Sequence, residues 1–101
     1  MAYYQPPRIE WDPPGLRQGV NIYKEIGGQE YAWRIPDNGL VSQAMAADLL
    51  GVSTMAVNNW VRAGRMRHVK APGHPSAIAL SEVKKFRRLL REGGGRLPPG
   101  R

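Results

Sequence analysis

Nine lysines and arginines fall within residues 40–92 against three acids, a net charge of +6. Residues 1–39 hold four basic groups and five acids, net −1, and two further arginines bring the whole chain to +7, with a pI near 10.4. Cations at that density do one kind of chemistry well: they neutralise a polyanion. Their duller use is solubility, which needs no partner. Catalysis has little to draw on, because no nucleophile elbow, no pair of carboxylates in the basic half and no histidine placed as a base can be read. His68 and His74 stand six residues apart with no cysteine or nearby acid, a poor metal site. Gly93-Gly94-Gly95 lacks the lysine and the preceding strand of a phosphate loop and reads as a spacer. Neither an enzyme nor a cofactor is expected.

These groups must be held by a small scaffold. The chain has 101 residues, 42% of them hydrophobic, with a mean hydropathy of −0.47, enough for one domain with tails. No apolar run approaches the roughly 18 residues of a membrane span. There is no cysteine, so disulfides and thiolate chemistry are excluded. Met1-Ala2-Tyr3-Tyr4-Gln5-Pro6-Pro7 has neither a charged leader nor an apolar core, so no secretory signal is expected and the cytoplasm is the default.

Residues 1–19 read as a Pro-rich aromatic arm. Pro6, Pro7, Pro13 and Pro14 bar a helix or a long strand, while Tyr3, Tyr4, Ile9 and Trp11 are more than a linker needs. Residues 20–36 read as a β-hairpin turning at Gly27-Gly28. That turn opposes Val20 to Ile35, Ile22 to Trp33, Lys24 to Tyr31 and Ile26 to Gln29 on one largely apolar face. The other face carries Asn21, Tyr23, Glu25, Glu30, Ala32 and Arg34, with Glu25 set against Glu30. A lone hairpin is marginal in water, so its apolar face needs the following domain or another chain.

After Pro36-Asp37-Asn38-Gly39 breaks the chain, Ser42 is placed to cap a helix over Gln43–Leu50 that stops at Gly51, and Ser53 to cap a second over Thr54–Ala63. At 100° per residue, Ala56, Val57, Trp60 and Val61 share one arc of the second helix. Thr54, Met55, Asn58, Asn59 and Arg62 share the opposite, polar arc. Arg65–Lys70 reads as a strand, Ala71–Pro75 as a turn and Ser76–Leu80 as a second strand. Ser81 then caps a third helix running from Glu82 to about Glu92, with Val83, Phe86, Leu89 and Leu90 on its apolar arc and Lys84, Lys85, Arg87, Arg88 and Arg91 on the other. The last arc would serve as a plain solvated face, or against phosphate or an anionic membrane surface.

Two short helices joined by a tight turn, the second with a polar face, make a helix-turn-helix. The run Val41-Ser42-Gln43-Ala44-Met45-Ala46-Ala47-Asp48-Leu49-Leu50-Gly51-Val52-Ser53 resembles the opening of the MerR-type and excisionase-type winged helix-turn-helix DNA-binding family. The likeness continues through Val57, Trp60, Ala63-Gly64-Arg65-Met66, the basic strands and Ser81-Glu82-Val83, covering residues 40–91. It implies a helix-turn-helix, a β-hairpin wing and a C-terminal helix over residues 40–92; with the N-terminal β-hairpin before it and a Gly/Pro tail over 93–101 that is flexible by composition, a mainly α chain with small β is expected. It further implies that Thr54, Met55, Asn58, Asn59 and Arg62 face base edges. Asparagine bonds adenine bidentately and Met55 can touch a thymine methyl. Ser42, Gln43, Arg65, Arg67, His68, Lys70 and His74 would meet the DNA backbone. The long coiled coil and effector domain of full MerR regulators are not expected, so no small-molecule effector is either.

The implied function is sequence-preferring binding of double-stranded DNA, as a small transcriptional regulator or an excisionase-like recombination or architectural factor. The alternative is a phage or assembly adaptor, since small terminase subunits carry a similar winged domain. Residues 1–36 are the candidates for self-association or a protein partner, through Tyr3, Tyr4, Trp11, Tyr23, Tyr31 and Trp33, residue types enriched at interface hot spots. The competing role for Ile22, Trp33 and Ile35 is to cap the small core.

Overall fold

The computed structural model describes residues 7–12 and 18–93. Its first sheet is antiparallel in the order β1-β2-β3, from β1 (Arg8–Trp11), β2 (Gly19–Ile26) and β3 (Gln29–Pro36). The turn between β2 and β3 needs two left-handed residues in succession. Gly27 and Gly28 supply them with φ of 61° and 82°. The register is Val20↔Ile35, Ile22↔Trp33 and Lys24↔Tyr31, the pairing that a two-residue turn at these glycines dictates. β1 adds Ile9↔Ile22 and Trp11↔Val20 on the other side. With a period of two, Ile9, Trp11, Val20, Ile22, Trp33 and Ile35 therefore lie on one face. Val20 and Ile22, on the central strand, are fully buried, and the other four pack against the same core.

The rest of the chain runs β4 (Leu40–Val41), α1 (Gln43–Leu50), α2 (Thr54–Arg62), β5 (Val69–Ala71), β6 (His74–Ala79) and α3 (Leu80–Glu92). A second antiparallel sheet has the order β4-β6-β5. Ser42 and Ser53 cap α1 and α2, their Oγ atoms accepting from Met45 N–H and Ala56 N–H at 3.1 Å each. Val41, Ala46, Leu49, Val57, Met66, Ile78, Leu80, Val83 and Phe86 join Val20 and Ile22 in one cluster. The first sheet thus shares the core of the helices.

The expectation of a mainly α chain with small β is overturned. Among the described residues, helix and strand contents are about equal, in two three-stranded antiparallel sheets and three helices. Two short strands make the difference. Between Pro7 and Pro13 the arm has room for Arg8-Ile9-Glu10-Trp11, whose alternation lets it join β2, so the expected hairpin is a three-stranded sheet. Leu40 and Val41 pair with Ala79 and Ile78, so the expected wing is three-stranded as well.

Two boundaries also move. Arg65–His68 is not a strand, because the N–H groups of Arg65 and Met66 both donate to Trp60 C=O, at 2.9 and 3.2 Å, in a turn that buries Met66. The third helix begins at Leu80, ahead of Ser81. Its N-cap is Ala79, with no side-chain cap, and Leu80 N–H donates instead to Gly39 C=O at 3.0 Å.

Polar ties hold the first sheet to the helices. Lys84 Nζ on α3 donates to Asp12 Oδ1 at 2.5 Å and to Asp37 Oδ1 at 2.6 Å, bridging the ends of β1 and β3. Lys24 Nζ lies 3.7 Å from Asp48 Oδ2 on α1, and the Arg87 guanidinium sits 4.5 Å from the centre of the Trp11 ring. Among the described residues no helix is long and apolar enough to cross a membrane.

Candidate nucleic-acid interface

α2 is anchored from behind. Val57 is fully buried, Trp60 packs on Phe86 of α3 with ring centroids 5.4 Å apart, and Val61 is partly buried against the core. The opposite arc is free of the core. Thr54, Asn59 and Arg62 are exposed, Asn58 is partly buried, and Met55 is 72% exposed, the most exposed of the large apolar side chains described. A thioether held out among polar groups has no packing role here. The nine-residue helix is about 14 Å long at 1.5 Å per residue, and an α-helix with its side chains, about 10–12 Å across, fits a major groove about 12 Å wide.

The turn after α2 sets the next groups. Met66 is drawn into the core by the two hydrogen bonds to Trp60 C=O, which leaves Arg65 and Arg67 exposed on either side of it. The Arg67 N–H donates to Glu82 Oε2 at 3.1 Å, fixing the turn to the first turn of α3 while its guanidinium stays outside. His68 and Lys70 follow, both exposed. Arg62, Arg65, Arg67 and Lys70 thereby form a cationic run directly beyond the polar arc of α2.

The other backbone candidates divide. Ser42 Oγ is engaged as the α1 cap. Gln43 Nε2 donates to Ser76 Oγ at 2.7 Å, so its amide ties α1 to β6. His74 opens β6, and its side chain lies outside the described residues. Neither Ser42 nor Gln43 belongs to the cationic run.

Of the protein-interaction candidates, Tyr3 and Tyr4 lie outside the described residues. Trp11 and Trp33 face the core, Trp11 beneath Arg87. Tyr23 is on the outer face of the first sheet with the Arg8 guanidinium 4.2 Å from its ring centre. Tyr31 is 45% exposed.

Sequence reasoning missed the clamp formed by Asp12, Asp37 and Lys84. Its partners are 72 and 47 residues apart along the chain, and no local spacing announces them. The Lys84 hydrogen bond, with its charge, holds the Asp12 carboxyl below its ordinary pKa. Burial works against the Lys84 charge, but the hydrogen bonds to both carboxylates outweigh it and raise the Lys84 pKa. The basic arc of α3 is therefore split. Lys84 and Arg87 hold the first sheet, and Lys85, Arg88 and Arg91 remain exposed. Among the described residues no three His, Cys, Asp or Glu side chains are grouped closely enough for a metal.

Comparison with known proteins adds no relative: no family model, no curated protein and no solved structure matches this chain.

Proposed function

We propose that this chain binds double-stranded DNA, with the exposed arc of α2 in the major groove and Arg62, Arg65, Arg67 and Lys70 on the flanking phosphates. One observation carries the reading: a rigidly backed helix whose outward arc is polar runs straight into an exposed cationic turn and strand. Each half fits its task. Thr54, Met55 and Asn59 offer hydrogen bonds and an apolar contact to base edges, while the cations position the helix without reading sequence. Asn58, partly buried, stands at the rim of that contact. The role that follows is a small transcriptional regulator or an excisionase-like recombination or architectural factor, acting in the cytoplasm on host or phage DNA.

The test is salt dependence. With about four phosphates neutralised, log K against log salt is expected to fall with a slope of about −3.6. A flat dependence, or no binding at low salt, removes the DNA reading.

A further inference from the structure

β3 is an edge strand along its whole length, since the first sheet runs in the order β1-β2-β3. Which backbone groups that edge presents follows from the ladder. The turn closes on the Ile26–Gln29 pair, and beyond the last strand pair Asp37 N–H donates to Gln18 C=O at 3.2 Å. Hydrogen-bonded and non-hydrogen-bonded pairs alternate in an antiparallel ladder. Gln29, Tyr31, Trp33 and Ile35 therefore turn their backbone groups to β2, and Glu30, Ala32 and Arg34 turn theirs outward. No described strand meets them.

We propose that this edge pairs with the same edge of a second copy of the chain, antiparallel about a two-fold axis at Ala32, joining two three-stranded sheets into one of six strands. The strand Glu30-Tyr31-Ala32-Trp33-Arg34 is complementary to itself in that register. Ala32 lies opposite its own copy, Glu30 opposite the second copy's Arg34, Arg34 opposite the second copy's Glu30, and Tyr31 opposite the second copy's Trp33. An axis at Glu30 sets glutamate against glutamate, and one at Arg34 sets arginine against arginine. Axes at Tyr31 or Trp33 leave neither charge facing its opposite. Only Ala32 pairs every charge, and its small side chain puts no bulk at the axis.

Two features of the single chain point the same way. The Arg34 side chain has both terminal guanidinium nitrogens withdrawn from solvent without an acceptor among the described residues, a state that buried donors rarely keep. Glu30 on β3 faces Glu25 on β2, a like-charge pair with no cation opposite either among the described residues. A second copy offers a carboxylate to Arg34, whose guanidinium would turn from its covered position toward the edge, and a guanidinium to Glu30. Tyr31, 45% exposed at this edge, gains an aromatic neighbour from the second copy's Trp33. An edge this long, which no described strand covers, otherwise invites uncontrolled pairing, and a symmetric dimer closes it.

Sedimentation equilibrium of the full chain, without DNA, tests this. The wild-type chain is expected at twice its 11.2 kDa mass. Glu30→Arg and Arg34→Glu, each setting like charges against each other, are expected to weaken the dimer about tenfold or more. The double swap Glu30→Arg with Arg34→Glu is expected to restore it. Ala32→Pro removes an N–H that faces only the open edge, and is expected to leave the β2 ladder but not the dimer. Circular dichroism read alongside separates unfolding from dissociation. A wild-type chain that stays monomeric up to millimolar concentration overturns the proposal, and so does a dimer indifferent to both single reversals or a double swap that remains monomeric. Since no DNA is present, either result leaves the DNA reading where it stands.

Discussion

The first sheet and the α2–β5 surface use one core in opposite ways. Residues 8–12 and 18–36 bring an apolar face to it, with Val20 and Ile22 fully buried and Trp11 and Trp33 packed beside them. α2 and its following turn bring Val57 and Met66, with Trp60 and Val61 partly buried beside them, and turn cations and amides outward. Charge separates the two regions, but burial does not. The described strands of residues 8–12 and 18–36 are therefore part of the folding unit rather than an appendage; their apolar face is taken up by the core, and the β3 edge is left outward.

The strongest way to break the comparison is to remove one side of it. A chain of residues 38–101 loses two fully buried side chains and four more that cover the core. At about 1.5–3 kcal/mol for each fully buried aliphatic side chain, against a total stability of about 5–15 kcal/mol for a native domain, it is expected to be unfolded by circular dichroism. A folded fragment would show that the helices need no sheet. Ile22→Ala makes the same point in the whole chain. It is expected to cost about 2–5 kcal/mol in urea unfolding, with tryptophan fluorescence and circular dichroism moving together, because sheet and helices melt as one.

On the other region, Asn59→Ala is expected to cost about 1–3 kcal/mol on a preferred DNA site and much less on random DNA, with a smaller change for the partly buried Asn58. Arg67→Ala or Lys70→Ala is expected to weaken both DNAs alike. Selection from random duplexes, followed by titration of each variant, separates these outcomes. Equal losses for the asparagine variants on both DNAs would leave α2 without a reading role.

The smallest effect concerns the clamp between the regions. Lys84→Ala is expected to lower stability by about 1 kcal/mol, since its two partners are substantially exposed and solvent screens the pairs. The Asp12 pKa is depressed on folding, so its contribution is present above its unfolded value of about 4 and fades as the pH falls through the lower folded value. The Lys84 pKa is raised, so its contribution is present below its unfolded value of about 10.4 and fades as the pH rises through the folded one. Asp12→Asn should flatten the acid limb of stability against pH.

Local signals determined much of this protein. Two adjacent glycines and a period of two were enough for the β2–β3 register, and Ser42 and Ser53 for the starts of α1 and α2, because turn geometry and capping act within a few residues. The two arcs of α2 could be read for the same reason: helical periodicity puts Val57 and Trp60 behind and Asn59 and Arg62 in front. Tertiary structure decided the rest. Four residues between prolines, and two after a break, became strands only because β2 and β6 presented edges to them, which made the chain as much β as α. Arg65–His68 alternates like a strand, but its backbone turned to Trp60 so that Met66 could be buried. Ala79, a poor cap by type, begins α3 because Gly39 C=O comes to meet the Leu80 N–H from 41 residues away. The Asp12–Lys84–Asp37 clamp likewise joins groups with no spacing in common. Pairings between distant segments depend on where the whole core brings the chain back to itself, and no local pattern encodes that return.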